Sequence, residues 1–169
     1  MKLHEFLARM EADLSAQNDA EKRLELMAKA LRQAFGVKSD EVGIFAYFPD
    51  HRTLEFLWPV PLRPMGSIPL SSTVSLVART AREKVPRLNN SFALTPHTTV
   101  FENIPQEGVA PTERIIQRIM SVPMMAGEEL RGVIQVSRKG ASRDTAGKDF
   151  TPPELTALEK LAGVFARFI

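Results

Sequence analysis

The sequence predicts one α+β domain, an antiparallel sheet with helices at both ends of the chain. Three observations carry that reading. Apolar residues recur at spacings of three and four through the first 35 residues. The period drops to two from Val42 onward, in short runs separated by turn residues. A strongly capped amphipathic stretch then closes the chain from Thr151. At 169 residues the chain suits a single domain, 1–169, able to bury roughly 70% of its unfolded surface.

In the first helix Leu3, Phe6, Leu7, Met10 and Leu14 form the apolar stripe, with Glu5, Arg9, Glu11 and Asp13 on the other side. Residues 1–17 are a candidate dimerisation or signalling helix. Asn18 is expected to start the second helix, with Glu21 completing a capping box. Leu24, Ala28, Leu31 and Phe35 are its buried face, and Gly36 is its stop. Val42–Phe48 and Thr53–Trp58 are expected to pair as a hairpin across Pro49-Asp50-His51-Arg52.

Nine of the twelve prolines fall between residues 49 and 111, so this third is expected to be rich in loops. Within it, Ser71 and Ser72 precede a helical stripe of Val74, Val77, Ala78, Ala81 and Val85, which Pro86 ends. Residues 89–110 show no clean period and are expected to form a lid or binding loop. Pro111 through Arg118 is expected to be a short helix with proline first. Ser121–Ala126 and Leu130–Ser137 follow as strands about a turn at Gly127-Glu128-Glu129. Thr151 as N-cap, Pro152 at N1 and Glu154 in a capping box then open the last helix. Its stripe of Leu155, Leu158, Leu161, Ala162, Phe165 and Phe168 runs to the final turn. Such an ending fits a dimer seam or a domain of a longer sensor.

Composition narrows the chemistry. There are 22 Lys+Arg against 20 Asp+Glu, a near-neutral balance that predicts no nucleic-acid partner. The longest apolar stretch, Val42–Phe48, is far short of the ~20 residues of a membrane helix, and no secretory signal opens the chain, so the expected location is cytoplasmic. With no Cys, the chain has no disulfide, thiolate metal site or cysteine nucleophile. Neither a Gly-x-Ser-x-Gly elbow nor a His-Glu-x-x-His pair is present, and His4, His51 and His97 have no ligand spacing. No metal site, no catalytic residue and no enzymatic activity are expected.

Four stretches in order and spacing resemble a GAF domain, a sensing module of bacterial and eukaryotic signalling proteins. They are the hairpin around Pro49-Asp50 and Leu54; Ile68-Pro-Leu-Ser-Ser through Val77–Lys84 into Pro86-Arg-Leu; Ser121-Val-Pro-Met with Leu130–Val136; and Asp149-Phe-Thr-Pro-Pro-Glu-Leu155. The resemblance implies an antiparallel sheet of five or six strands. Terminal helices cover one face, and a pocket lies under a short helix and loops on the other. GAF relatives that reduce free methionine sulfoxide, and those that attach bilins, do so through Cys. This chain is therefore expected to hold neither a covalent bilin nor an iron–sulfur cluster. The cyclic-nucleotide subset tends to carry Asn-Lys, Phe, then Asp-Glu after three residues. Lys139 and Phe150 keep that pattern, whereas Arg138, Glu154 and Leu155 depart from it.

The candidate ligand is a cyclic nucleotide or a small carboxylate. Ser71, Ser72 and Thr73 are the candidate anion site, at the expected start of the middle helix, where free N–H groups and the positive dipole end converge. Arg63, Arg79, Arg82 and Arg87 surround that segment in sequence. Phe45, Tyr47, Trp58 and Met124 are candidate pocket wall, with ordinary core as the competing reading. His97, Thr98 and Thr99 are candidates for closing over a ligand. The leading expectation is a regulatory ligand-binding module acting on an effector elsewhere. The alternative is a ligand-free module that dimerises through Leu3, Leu7, Met10, Leu14, Leu158, Leu161, Phe165 and Phe168.

Overall fold

The computed structural model describes residues 1–96, 102 and 109–169. Helices α1 (Leu3–Ala16) and α2 (Ala20–Phe35) lead into strands β1 (Val42–Phe48), β2 (Thr53–Trp58) and β3 (Ser67–Pro69). Helix α3 (Leu76–Glu83) and strand β4 (Arg87–Asn89) follow, then β5 (Ile116–Ala126), β6 (Glu129–Lys139) and helix α4 (Pro152–Phe165). The six strands form one sheet in the order β3-β2-β1-β6-β5-β4, every neighbouring pair antiparallel.

Strand alternation sorts the sheet's side chains between two cores. Ile44, Met120, Val122, Met124, Ile134 and Val136 point to the layer formed by α1, α2 and α4, where Leu14, Met27, Leu31, Leu161 and Phe165 are buried. Phe45, Leu54, Phe56, Ile119 and Val133 point the other way, under Val77, Ala78 and Ala81 of α3. The layout is an α+β sandwich with long helices on one face and the short α3 on the other. No helix among the described residues is long and apolar enough to cross a membrane.

Gly132 permits the close pairing of β1 and β6. A Cβ there would stand 1.9 Å from the Phe45 carbonyl oxygen, a contact that a side chain cannot relieve by rotating.

Several boundaries differ from the sequence expectation. The N-cap of α2 is Asp19 rather than Asn18, and its carboxylate accepts from the N–H groups of Glu21 and Lys22 at 2.9 and 3.2 Å. The expected helix over Pro111–Arg118 is a single 3₁₀ turn, Pro111–Arg114. β5 begins at Ile116 because residues from there on ladder with Lys139 and Arg138 of β6, and pairing overrides the helix start signalled by Pro111. β3 and β4 are three-residue edge strands, too short to show a period.

The end of β6 is tied down by buried charge. Lys139 donates to the Asp40 carbonyl at 2.8 Å and stands 3.6 Å from its carboxylate, the two side chains only 4% and 9% exposed. Glu41 accepts from the Lys139 and Lys38 N–H groups at 2.7 and 2.8 Å. Burial pushes the Glu41 carboxyl up despite those donors, and burial pulls the Lys139 ammonium down despite Asp40 and Glu41. Arg138 stacks 4.4 Å from the centroid of the buried Phe150 ring and donates to the Phe35 carbonyl. Lys139 thus ties the end of β6 to the segment before β1, and Phe150 supplies the ring under Arg138, which itself reaches the end of α2.

The connection from Gly140 to Asp149 is strapped by the buried Arg118, which donates to Asp149 Oδ1 and to the Arg143 carbonyl, both at 2.6 Å. The Arg118 hydrogen bond, opposed by some desolvation and aided by the charges of Arg118 and Arg143, holds the Asp149 carboxyl below its ordinary 3.8. A lowered carboxyl favours the folded state above its unfolded pKa and loses that contribution as pH falls through the folded value. The stability gap between the wild type and Asp149→Asn is therefore expected at neutral pH and to shrink as pH falls below 3.8. Chemical denaturation across an acid titration checks this, and a gap constant with pH refutes it.

Candidate functional site

On the α3 face a cavity of about 430 Å³ opens between the start of α3, strand β4 and the segment that follows it. Leu76, Leu88 and Ile119 supply apolar floor, and Phe92 an aromatic edge. Arg79, Arg87, Asn89, Thr73, Ser75 and Thr95 supply charge and hydrogen-bonding groups. The volume and the mixed lining suit a small organic molecule with a polar or charged end.

Each wall has a local cause. Ser75 is the N-cap of α3, its hydroxyl accepting from the Ala78 N–H at 3.3 Å. The helix is therefore shorter than expected, and Val74 and Val85, placed in its stripe from the sequence, are exposed. Ser71 and Ser72 consequently do not stand at a helix N-terminus. They lie in the turn after β3, where Arg82 clamps the Leu70 and Ser72 carbonyls at 2.6 and 2.7 Å. Of the three candidate anion-site residues, only Thr73 lines the cavity. The α3 helix is held to the sheet by Thr80, whose hydroxyl lies 2.7 Å from that of Ser121 in full burial.

The four arginines separate by partner. Arg63 makes a two-point pair with Glu21 at 3.0 and 2.9 Å and donates to the Leu57 carbonyl. Arg82 is spent on the turn, so Arg79 and Arg87 are the pair that reaches the cavity. Burial, with the like charge of Arg79 added, pulls the Arg87 guanidinium below the ordinary arginine value. It remains a cation at any physiological pH.

The candidate wall residues from the strands are placed elsewhere. Phe45 is core, its ring centroid 4.4 Å from that of Phe56. Trp58 packs on the long-helix side and donates to the Ser39 carbonyl at 3.3 Å. The register explains it: Ile44 pairs with Trp58 and Phe45 with Phe56, so Leu57 is an extra residue that turns Trp58 over. Met124 is fully buried on that same side, while Met125, past another irregularity, packs toward α3. Tyr47 lines a different groove with Leu24, Leu57 and Phe168. His97, Thr98 and Thr99 lie outside the described residues.

Met10, Leu14, Leu158, Leu161 and Phe165, expected at a dimer seam, are buried within the chain's own core between α1, α4 and the sheet. A side chain already enclosed by its own chain has no surface left for a second copy. Leu3, Leu7 and Phe168 remain partly exposed.

No family model matches the sequence, and no curated protein matches it. Solved structures do match the fold over nearly the whole chain. The GAF domain of an Acinetobacter phosphoenolpyruvate-protein phosphotransferase superposes with a TM-score of 0.71 at 15% identity, over 97% of this chain and 90% of that one. The second GAF domain of DevS from Mycobacterium smegmatis gives 0.58 at 15% identity, over 88% and 91%. This chain has the GAF fold. A free methionine-R-sulfoxide reductase from Neisseria meningitidis, solved with its substrate, also matches, with a TM-score of 0.68 at 16% identity over 98% and 87%. The fold thus occurs in different proteins, a reductase with bound substrate among them, and its use here must be read from the site.

Among the described residues, no group of three or more His, Asp or Glu is placed to hold a metal ion. The cavity presents two guanidinium groups, an amide, hydroxyls and an aromatic ring, a set suited to holding an anion-bearing molecule. Arg79 and Arg87 belong to the arginines that flank the segment in sequence, and Asn89, Phe92 and Thr95 fall within the aperiodic stretch 89–110, whereas Ser75 and Ile119 belong to no candidate set. Ser75 alone carried a readable signal, a capping residue directly before Leu76-Val77.

Proposed function

We propose that this GAF domain is a regulatory module that binds a small molecule in the α3–β4 cavity without transforming it and passes occupancy to the terminal helices. The observation that carries the reading is the cavity itself, with two arginines and an aromatic ring on the face opposite the long helices. A route outward supports it. Asn90, next to the cavity residue Asn89, donates to the Phe150 carbonyl and accepts from the Phe150 N–H at 3.0 and 2.9 Å. Phe150 directly precedes Thr151, whose hydroxyl caps α4 at Glu154 N–H. A ligand that prefers one placement of β4 thereby biases the start of α4. The absence of cysteine argues against the reductase chemistry expected of some relatives.

The effector that reads α4 is a separate domain or protein, and the setting is the cytoplasm. Native mass spectrometry of freshly purified protein tests the reading. A bound mass that leaves on denaturation, and whose retention is lost on changing the cavity lining, is the expected result. Protein that carries no ligand and shows no thermal shift with a panel of cyclic nucleotides and small carboxylates counts against it. The second reading, dimerisation without a ligand, draws on the partly exposed Leu3, Leu7 and Phe168. The same spectrum reports its outcome as a dimer of the bare chain.

A further inference from the structure

Glu83, the last residue of α3, offers one carboxylate oxygen to each of the two cavity arginines. Its Oε1 stands 3.3 Å from Arg79 Nε, and its Oε2 contacts Arg87 Nη2. Both arginines line the cavity, whereas Glu83 does not. The arrangement leaves Arg87 incompletely used, because its Nε is buried and has no hydrogen-bond partner. A guanidinium recognises an oxyanion best through two parallel N–H bonds, and Glu83 engages Arg87 at one terminal nitrogen.

We propose that the cavity selects a small oxyanion, a carboxylate or phosphate monoester carrying a ring-sized apolar body, and that Glu83 is a built-in counter-ion which competes with it for Arg79 and Arg87. The inference rests on the reading of the cavity as the ligand site and adds its ligand class and its regulation. With the cavity empty, Glu83 stands between two like charges and offsets one of them, which relieves their mutual repulsion. An arriving oxyanion displaces Glu83 from Arg87, the freed guanidinium turns so that the orphaned Nε–H joins the contact, and the apolar body packs on Phe92, Leu88 and Ile119. Because the Glu83 pairs are partly open to solvent, which screens their attraction, the competitor is weak enough to yield. It still sets a threshold concentration below which the arginines stay with the protein's own acid.

The test is a titration of the full chain by two-dimensional amide NMR with phenyl phosphate, benzoate and the uncharged benzamide. The expected result is that both anions perturb the amides of Ser75–Arg79 and Arg87–Phe92, and that benzamide does so far more weakly. Glu83→Gln should tighten both anions about two- to fivefold and leave benzamide unchanged. Arg87→Gln should weaken both by roughly tenfold or more. Arg79→Gln, at a more exposed position, provides a second variant expected to give a smaller loss with the spectrum of the fold retained. If benzamide binds as well as the anions, or if Glu83→Gln leaves anion affinity unchanged or lowers it, the proposal is overturned while the cavity remains a ligand site. Perturbation by none of the three probes, in the wild type or in Glu83→Gln, overturns the proposal and the cavity reading together.

Discussion

Leu14→Glu and Phe165→Glu are each expected to abolish the native fold instead of releasing a folded monomer. Both side chains are fully enclosed, Leu14 on the inner face of α1 and Phe165 at the end of α4, in the core that joins the long helices to the sheet. Truncating such a side chain costs about 2–5 kcal/mol through lost burial and cavity formation. Putting an unpaired carboxylate there adds desolvation that no neighbour offsets, for a total of about 5 kcal/mol or more per site. That approaches the whole stability of an ordinary domain. Circular dichroism and sedimentation check the result together: loss of the cooperative thermal transition is expected. A well-folded monomer from either variant would show that these residues face a second copy after all.

Lys139→Met is expected to cost about 3–5 kcal/mol, the penalty for stranding one side of a buried ion pair. The Lys139 ammonium is the cation beside Asp40, whose Oδ1 is already buried without a partner. Removing it leaves that carboxylate buried without its cation, with the buried Glu41 carboxyl next to it in sequence. A double variant, Lys139→Met with Asp40→Asn, should recover part of the loss because one stranded charge goes with it. Urea denaturation of the three proteins measures both steps. A loss below about 1 kcal/mol for Lys139→Met, as for an exposed pair, would mean that water reaches the cluster. The same variant separates two roles for this lysine. Its side chain lies with Asp40 and Glu41 at the end of β6 and does not line the cavity, so ligand affinity should follow the folded fraction and nothing else.

Much of the architecture was readable because local chemistry and tertiary packing agree. The caps of α4, the Gly36 stop with its φ of 62°, the β1–β2 hairpin and the helix stripes each need only a few adjacent residues to be recognised. The failures have equally local causes. Asn18 and Asp19 are both good N-caps, and only the hydrogen bonds choose between them. Val74 reads as the first apolar residue of the α3 stripe, yet it precedes the cap and is exposed. The Pro111 segment begins as a helix should, but the ladder to β6 claims it from Ile116 onward.

The residues alone, through periodicity, capping and the zero cysteine count, specify an α+β domain of this order and exclude thiol chemistry. Which face a strand residue takes is another matter. One extra residue at Leu57 turns Trp58 from the candidate pocket wall to the long-helix core, and alternation cannot be followed through an irregularity that no residue type announces. The site shows the same division. Its wall comes from Ser75 and Arg79, from Arg87 and Asn89, from Phe92 and Thr95, and from Ile119 across the sheet. Arg79 and Arg87 differ from Arg63 and Arg82 only in what lies beside them: a cavity and Glu83 in one case, Glu21 and backbone carbonyls in the other. Only the folded chain makes that distinction, because the partner of a long charged side chain is fixed by distance in space and not by distance along the chain.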